Sequence, residues 1–103
     1  MSEFFITSSD FNESEEIPKK FGYKFENKEP KLDFNNIPEG TQSIGLIMDD
    51  PDAMAAVGKI WVHWLQYFDF PSKNLIIEGK TDFGEIGYGG PAPPNGRHTY
   101  IFK

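Results

Sequence analysis

Large apolar residues occur along this chain in short runs with a period of two, separated by stretches rich in proline and glycine. A period of two is the spacing of side chains on one face of a β-strand, whereas a helix has a period near 3.6. The pattern therefore predicts a set of short strands. These are Phe4–Ser8, Phe21–Glu26, Ser43–Asp49, Ile60–Phe68, Asn74–Glu78 and His98–Phe102.

Ile60–Phe68 is the clearest of these strands, and both of its faces carry large apolar side chains. Such a strand is expected to be covered on both sides. Ala53–Val57 allows one helical turn, and no stretch has an apolar repeat of helical spacing over three turns. Short strands joined by proline- and glycine-bearing loops predict an all-β sandwich or barrel. With no repeat or linker in the sequence, residues 1–103 are expected to form one domain.

Composition narrows the function classes. The net charge is −6, which argues against a nucleic-acid surface because phosphate contacts require a basic face. The chain has no cysteine, so neither disulfides nor thiolate metal sites are available. The apolar run near the start, Phe4–Ile6, is too short for a signal peptide or a membrane helix, and we therefore expect a cytoplasmic protein.

Strand periodicity places polar groups on otherwise apolar faces. Asp50 ends a stripe of alternate apolar residues that begins at Ile44, and Pro51 keeps Asp50 extended. His63 shares a face with the large side chains two residues away on either side, and His98 shares a face with Tyr100. Three strands can thus each contribute a polar group to one site.

Each of these features also has a structural explanation. A single histidine on an apolar strand is more often a hydrogen-bonded core residue than a ligand-binding one. Asp-Pro-Asp alone is usually a turn. The combination favours a site, because both histidines of the chain and its Asp49–Asp52 run fall in segments that a sandwich can bring together.

Taken in order, the motifs resemble the phosphatidylethanolamine-binding protein family, which includes the Raf kinase inhibitor proteins and bacterial and archaeal members. The motifs are Asp50-Pro51-Asp52-Ala53, His63-Trp64, Gly87-Tyr88-Gly89-Gly90-Pro91 followed by Pro93-Pro94 and Gly96, and His98-x-Tyr100-x-Phe102. The resemblance implies an antiparallel Greek-key β-sandwich with a small pocket that binds anions such as phosphate or a phosphorylated head group. Family members normally continue beyond the strand that starts at His98, so it also implies either a short form or a cut sequence that lacks the C-terminal segment.

The resemblance also implies a set of ligand-binding residues. They are Asp50, Asp52, His63, Gly90, Ala92, Pro93, Pro94, His98 and Tyr100. The histidines and the tyrosine hydroxyl can donate to phosphate oxygens, and loop N–H groups around Gly89 and Gly90 are expected to add donors. Asp50 is expected to orient a histidine and raise its pKa, or to pair with an amine head group.

The function implied is a non-enzymatic binding module, without a cofactor, that regulates a protein partner such as a kinase or protease. The alternative is a metal-dependent hydrolase using the Asp/His cluster, although the spacing matches no compact metal motif. A third hypothesis is a purely structural role for the motifs. An exposed sheet edge in a shortened chain also favours a homodimer formed by strand pairing.

Overall fold

The computed structural model describes residues 3–94 and 96–103, so Asn95 of the proline-rich loop lies outside the described residues. Six strands and little helix make up its regular structure. The strands are β1 (Phe5–Thr7), β2 (Asp33–Asn35), β3 (Ser43–Asp50), β4 (Trp61–Asp69), β5 (Ile76–Glu78) and β6 (Ile101–Phe102). The helical elements are a 3-10 turn at Lys19–Phe21 and the short helix α1 (Ala53–Val57).

All strand pairs are antiparallel. One sheet has the order β5-β4-β3-β6, and β1 and β2 form a separate two-stranded sheet. The predicted all-β class and its antiparallel pairing are confirmed, whereas the finer Greek-key sandwich stays a prediction. In the described part of the chain, no helix has the length and apolar composition needed to cross a bilayer.

The core lies on one face of the four-stranded sheet. Leu46, Met48 and Trp64 form its centre, and Ile6 of β1 and Phe34 of β2 pack against them. The opposite face is more open, since Ile47 and Tyr67 are 40% and 43% exposed. The prediction that the strand from Ile60 to Phe68 is covered on both sides is therefore wrong. On that second face Val62 and Leu65 are half-buried and Tyr67 is exposed, so the covering is partial.

A β-bulge interrupts the pairing of β3 with β4. Met48 is opposite Trp64 and Asp49 is opposite Val62, so His63 is the extra residue. A bulge breaks strict alternation because two residues on one strand face a single residue on the other. As a result His63 and Trp64, which are consecutive, are both buried. Simple parity, which groups His63 with Leu65 and Tyr67, fails at this position.

Two predicted strands differ from the structure. The segment Phe21–Glu26 is not a strand but the end of the 3-10 turn followed by further turns. Within it Phe21 is buried, whereas Phe25 is 63% exposed. Its apparent alternation thus reflects separate roles of its aromatic residues. The last strand is limited to Ile101–Phe102, and His98 and Tyr100 lie in the irregular segment before it.

Candidate functional site

The acidic corner of the site is the end of β3. Asp50 is its last residue and is 3% exposed, although it is charged by type. Pro51 and Asp52 follow in a turn, and α1 begins directly after them. A buried carboxylate must find a partner or lose its charge. The surroundings of Asp50 therefore decide what the corner can do.

The partner of Asp50 is His98. Its Nδ1 lies 2.6 Å from Oδ2 of Asp50, and both side chains are almost completely buried. A second contact joins the same two segments, because the backbone N–H of Thr99 donates to Oδ2 of Asp52 at 2.6 Å. The two carboxylates of the Asp-Pro-Asp turn thus hold the His98 segment in place. This arrangement agrees with the prediction that Asp50 orients a histidine.

His63 is positioned by the bulge of β4 and by the glycine-rich loop. Its Nδ1 lies 2.7 Å from the carbonyl oxygen of Gly89, which can only accept, so Nδ1 carries the hydrogen. Burial lowers the pKa of the His63 imidazole, and this effect outweighs the raising influence of the Gly89 bond and of Asp50 and Asp49. The neighbouring acids thus raise the His63 pKa as expected, but burial is the larger effect and the net shift is downward.

Tyr100 follows His98 by two residues and contacts the other histidine, His63. Its ring stands edge-on to His63, with centroids 5.2 Å apart. Burial, with Asp50 and Asp52 nearby, raises the pKa of its hydroxyl, which stays protonated. Among the described residues, neither the Tyr100 hydroxyl nor Oδ1 of Asp50 has a hydrogen-bond partner, and both atoms are buried. Unpaired buried polar atoms are costly, so these two mark a place where a further group would be stabilising.

The loop N–H groups expected to act as ligand donors are already in use. The N–H of Gly89 donates to the carbonyl of His63 at 2.8 Å, and that of Gly90 donates to Oδ1 of Asn27 at 2.7 Å. The same Asn27 amide donates to the carbonyl of Tyr88. The Asn27 side chain therefore bonds to one backbone acceptor and one backbone donor of the loop, as a neighbouring strand does in a sheet. The sequence marks it only as part of a turn, because its partners are more than sixty residues away.

Phe83 is a second residue that sequence reasoning missed. Its ring stacks on Tyr23 with centroids 4.0 Å apart and stands edge-on to His63 at 5.3 Å. It also fills the space beside Gly89, where an added Cβ would lie 2.4 Å from the ring. Phe83 thus packs against both residues of the His63–Gly89 hydrogen bond. The sequence offered only a Phe-Gly pair at 83–84 as a signal, and the structure shows a turn there, with a φ of 82° at Gly84.

A groove beside the cluster reaches only part of the site. It has a volume of about 1090 Å³, and His98, Tyr100 and Pro93 are among its lining residues, whereas Asp50 and His63 are not. The remaining predicted residues are less enclosed, with Ala92 half-buried and Asp52 and Pro94 exposed. Gly90 is buried. The structure thus brings Asp50, His63, His98 and Tyr100 together and places the proline-rich loop beside them.

The cluster does not have the form of a metal centre. Within residues 3–94 and 96–103, no three His, Cys, Asp or Glu side chains are arranged to hold a metal ion. The nearby Asp49 instead accepts from Nζ of Lys103 at 2.9 Å. The metal-dependent hydrolase alternative therefore has no ligand set among the described residues.

Comparison with known proteins places this geometry in context. The model of the phosphatidylethanolamine-binding protein family matches residues 7–103. A UPF0098 protein of Aquifex aeolicus is 39% identical over 95% of this chain and 64% of its own length. A UPF0098 protein of Chlamydia muridarum is 36% identical over 94% of this chain and 71% of its own length. This chain thus spans about two thirds of the length of these relatives.

Two solved structures have a similar fold. The crystal structure of CT736, a phosphatidylethanolamine-binding protein homologue from Chlamydia trachomatis, superposes with a TM-score of 0.81 and 30% identity, covering 96% of this chain and 71% of the other. YbcL of Escherichia coli, a member of the same family, gives 0.81 and 28% identity, covering 98% and 74%. The chain therefore belongs to the phosphatidylethanolamine-binding protein family.

Proposed function

We propose that this chain is a non-enzymatic module that binds a small anionic or phosphorylated ligand at the cluster of Asp50, His63, His98 and Tyr100. The observation that carries the proposal is that two buried polar atoms of the cluster, Oδ1 of Asp50 and the Tyr100 hydroxyl, have no hydrogen-bond partner among the described residues. Both belong to residues that contact an imidazole of the cluster. A folded core seldom leaves such atoms unpaired unless a ligand or water completes them.

The neighbouring groove supports the proposal. His98 and Tyr100 contribute to its lining, so the groove reaches the edge of the cluster. Hydroxyl and imidazole groups are common hydrogen-bond partners of phosphate oxygens. The family name concerns a phospholipid head group, and a phosphorylated ligand is consistent with it.

Thermal unfolding with and without ligand tests this proposal. The probes are inorganic phosphate and phosphoethanolamine, each at about 100 times its dissociation constant, where stabilisation is about 2.7 kcal/mol. For a domain of this size that corresponds to a rise in Tm of roughly ten degrees. A wild-type chain that melts cooperatively with no rise for either probe would contradict the proposal.

Two tyrosine variants provide a matched control. Tyr100→Phe removes the unpartnered hydroxyl inside the cluster, whereas Tyr67→Phe removes one from the open face of the sheet. We expect Tyr67→Phe to keep the ligand-induced rise in Tm and Tyr100→Phe to lose most of it. Equal rises in the two variants would remove Tyr100 from the site.

Regulation of a kinase or protease and formation of a homodimer stay predictions. The first rests on the family resemblance alone. For the second, sedimentation velocity over a hundredfold range of protein concentration is the direct measurement, and a constant monomer mass would refute it.

A further inference from the structure

We propose that the groove between β1 and β6 accepts an extended segment of a partner protein, which adds to the sheet of β1 and β2 as a third strand. The segment has apolar side chains at alternate positions and basic residues at its ends. The groove is the one of about 1090 Å³ described above, and neither Asp50 nor His63 lines it. The inference goes beyond the proposed anion site and does not depend on it.

The two strands that border the groove each have an unpaired edge. Among the described residues, β1 pairs only with β2, and β6 pairs only with β3. Residues 4–8 and 98–102 line the groove without a gap. Because successive side chains of a strand point to opposite faces, an unbroken run of lining residues indicates that the groove follows the edge of the strand. The free backbone groups of such an edge are a template for another strand.

Neither edge carries the usual protection against strand addition. Edge strands are commonly protected by lysine, proline or a bulge. Phe5–Thr7 and Ile101–Phe102 contain neither residue, and their pairing is regular. β1 is the better acceptor, because β6 has only two residues and the N–H of Thr99 before it already donates to Asp52. Residues 4–8 provide an edge of roughly 17 Å, enough for a strand of five residues.

The lining of the groove favours apolar side chains in the added strand. Ile6 and Phe102 line it and also pack against the buried core. Phe5 and Ile101 line it too and are 47% and 38% exposed. A strand with apolar residues at every second position would place them on these side chains and turn its polar residues outward.

The charge of the rim favours a basic partner. The exposed charged residues of the lining are Glu13, Glu15, Glu16, Lys19 and Arg97. Arg97 donates to Glu16 at 3.0 Å, so two glutamates remain against one lysine. The net charge of −6 acts in the same direction. Complementary charge steers association, so lysines at the ends of the segment are favoured over glutamates.

Fluorescence anisotropy with labelled synthetic peptides tests the inference. The parent probe is a nonapeptide in which threonine and valine alternate between two terminal lysines. Two further versions carry N-methyl groups on alternate backbone nitrogens, one version for each phase, so that side chains are kept while backbone donors are lost. We expect the parent to bind and at least one N-methylated version to bind at least tenfold more weakly. No binding by the parent, or equal affinities for all three peptides, would overturn the inference.

A matched pair of charge variants locates the bound peptide. Glu13→Lys should weaken binding of the lysine peptide severalfold and tighten binding of an otherwise identical peptide with terminal glutamates. Glu39→Lys makes the same change in net charge at an exposed turn outside the groove and should do neither. Equal effects of the two variants would refute the groove as the binding surface. Self-association of the chain in sedimentation velocity that the parent peptide fails to reverse would assign the edge to a second copy, and the proposal would be wrong.

Discussion

Replacing Gly90 by alanine should destabilise this protein strongly. An added Cβ at Gly90 would lie 1.8 Å from the carbonyl oxygen of Phe21 and 2.8 Å from its carbonyl carbon. These are backbone atoms, so no side-chain rotation relieves the overlap. The Phe21 side chain is fully buried, and its carbonyl accepts a hydrogen bond from the Tyr88 hydroxyl at 2.8 Å.

The magnitude follows from these contacts. The two segments must separate by roughly 1 Å or more before the new methyl group reaches ordinary contact distance. Overpacking of this kind costs about 1–3 kcal/mol, and loss of one or both hydrogen bonds of Gly90 and Tyr88 adds about 1 kcal/mol each. We therefore expect a loss of about 2–5 kcal/mol and a fall in Tm of roughly 10–30 °C.

Gly45→Ala is the matched control. Gly45 lies in β3, its backbone conformation is also ordinary for alanine, and an added Cβ meets nothing within 4 Å. The variant should melt within a few degrees of the wild type, because alanine in a strand costs no more than glycine. Circular dichroism during heating measures both variants. If Gly90→Ala melts as high as Gly45→Ala, the close packing of the loop on the Phe21 carbonyl is wrong.

Two further predictions concern the same region. Asn27→Ala should lower the free energy of unfolding by about 1–3 kcal/mol in urea titration, because the buried N–H of Gly90 loses its partner; an unchanged midpoint would contradict this role. The folded-state pKa of His63 is lowered, so the unfolded chain binds its proton first and stability should fall as the pH drops through about 6.5. Urea titrations at pH 7.5 and 5.5 should therefore show a smaller loss of stability in His63→Gln than in the wild type, and an equal loss in both would refute the assignment.

Local pattern predicted the strong strands well. Ser43–Asp50 and Trp61–Asp69 carry enough apolar and β-branched residues for the pattern to identify them, and the structure has them within a residue or two. Ala53–Val57 is the short helix expected there. Where aromatic residues serve separate contacts, as in Phe21–Glu26, the same pattern predicted a strand that is absent. Periodicity reports burial only when one regular element causes it.

The residue types of the site were visible in the sequence, but their chemical state was not. The motifs alone nominated Asp50, His63, His98 and Tyr100, because few arrangements place both histidines and an Asp-Pro-Asp turn beside a glycine- and proline-rich loop. The pairing of Asp50 with His98 was also expected in kind. These inferences depend on residue identity and order along the chain.

Only the tertiary structure decided which groups remain free to bind. The His63–Gly89 bond joins residues 26 positions apart, and the Asn27–Gly90 bond joins residues 63 positions apart. The first bond fixes the tautomer of the imidazole, and the second occupies an N–H that the sequence had suggested for a ligand. A sequence determines which donors and acceptors exist, but whether each is already bonded depends on which distant segments fold against it. For this protein, the Gly89 and Gly90 N–H groups expected to meet a ligand are instead bonded within the chain.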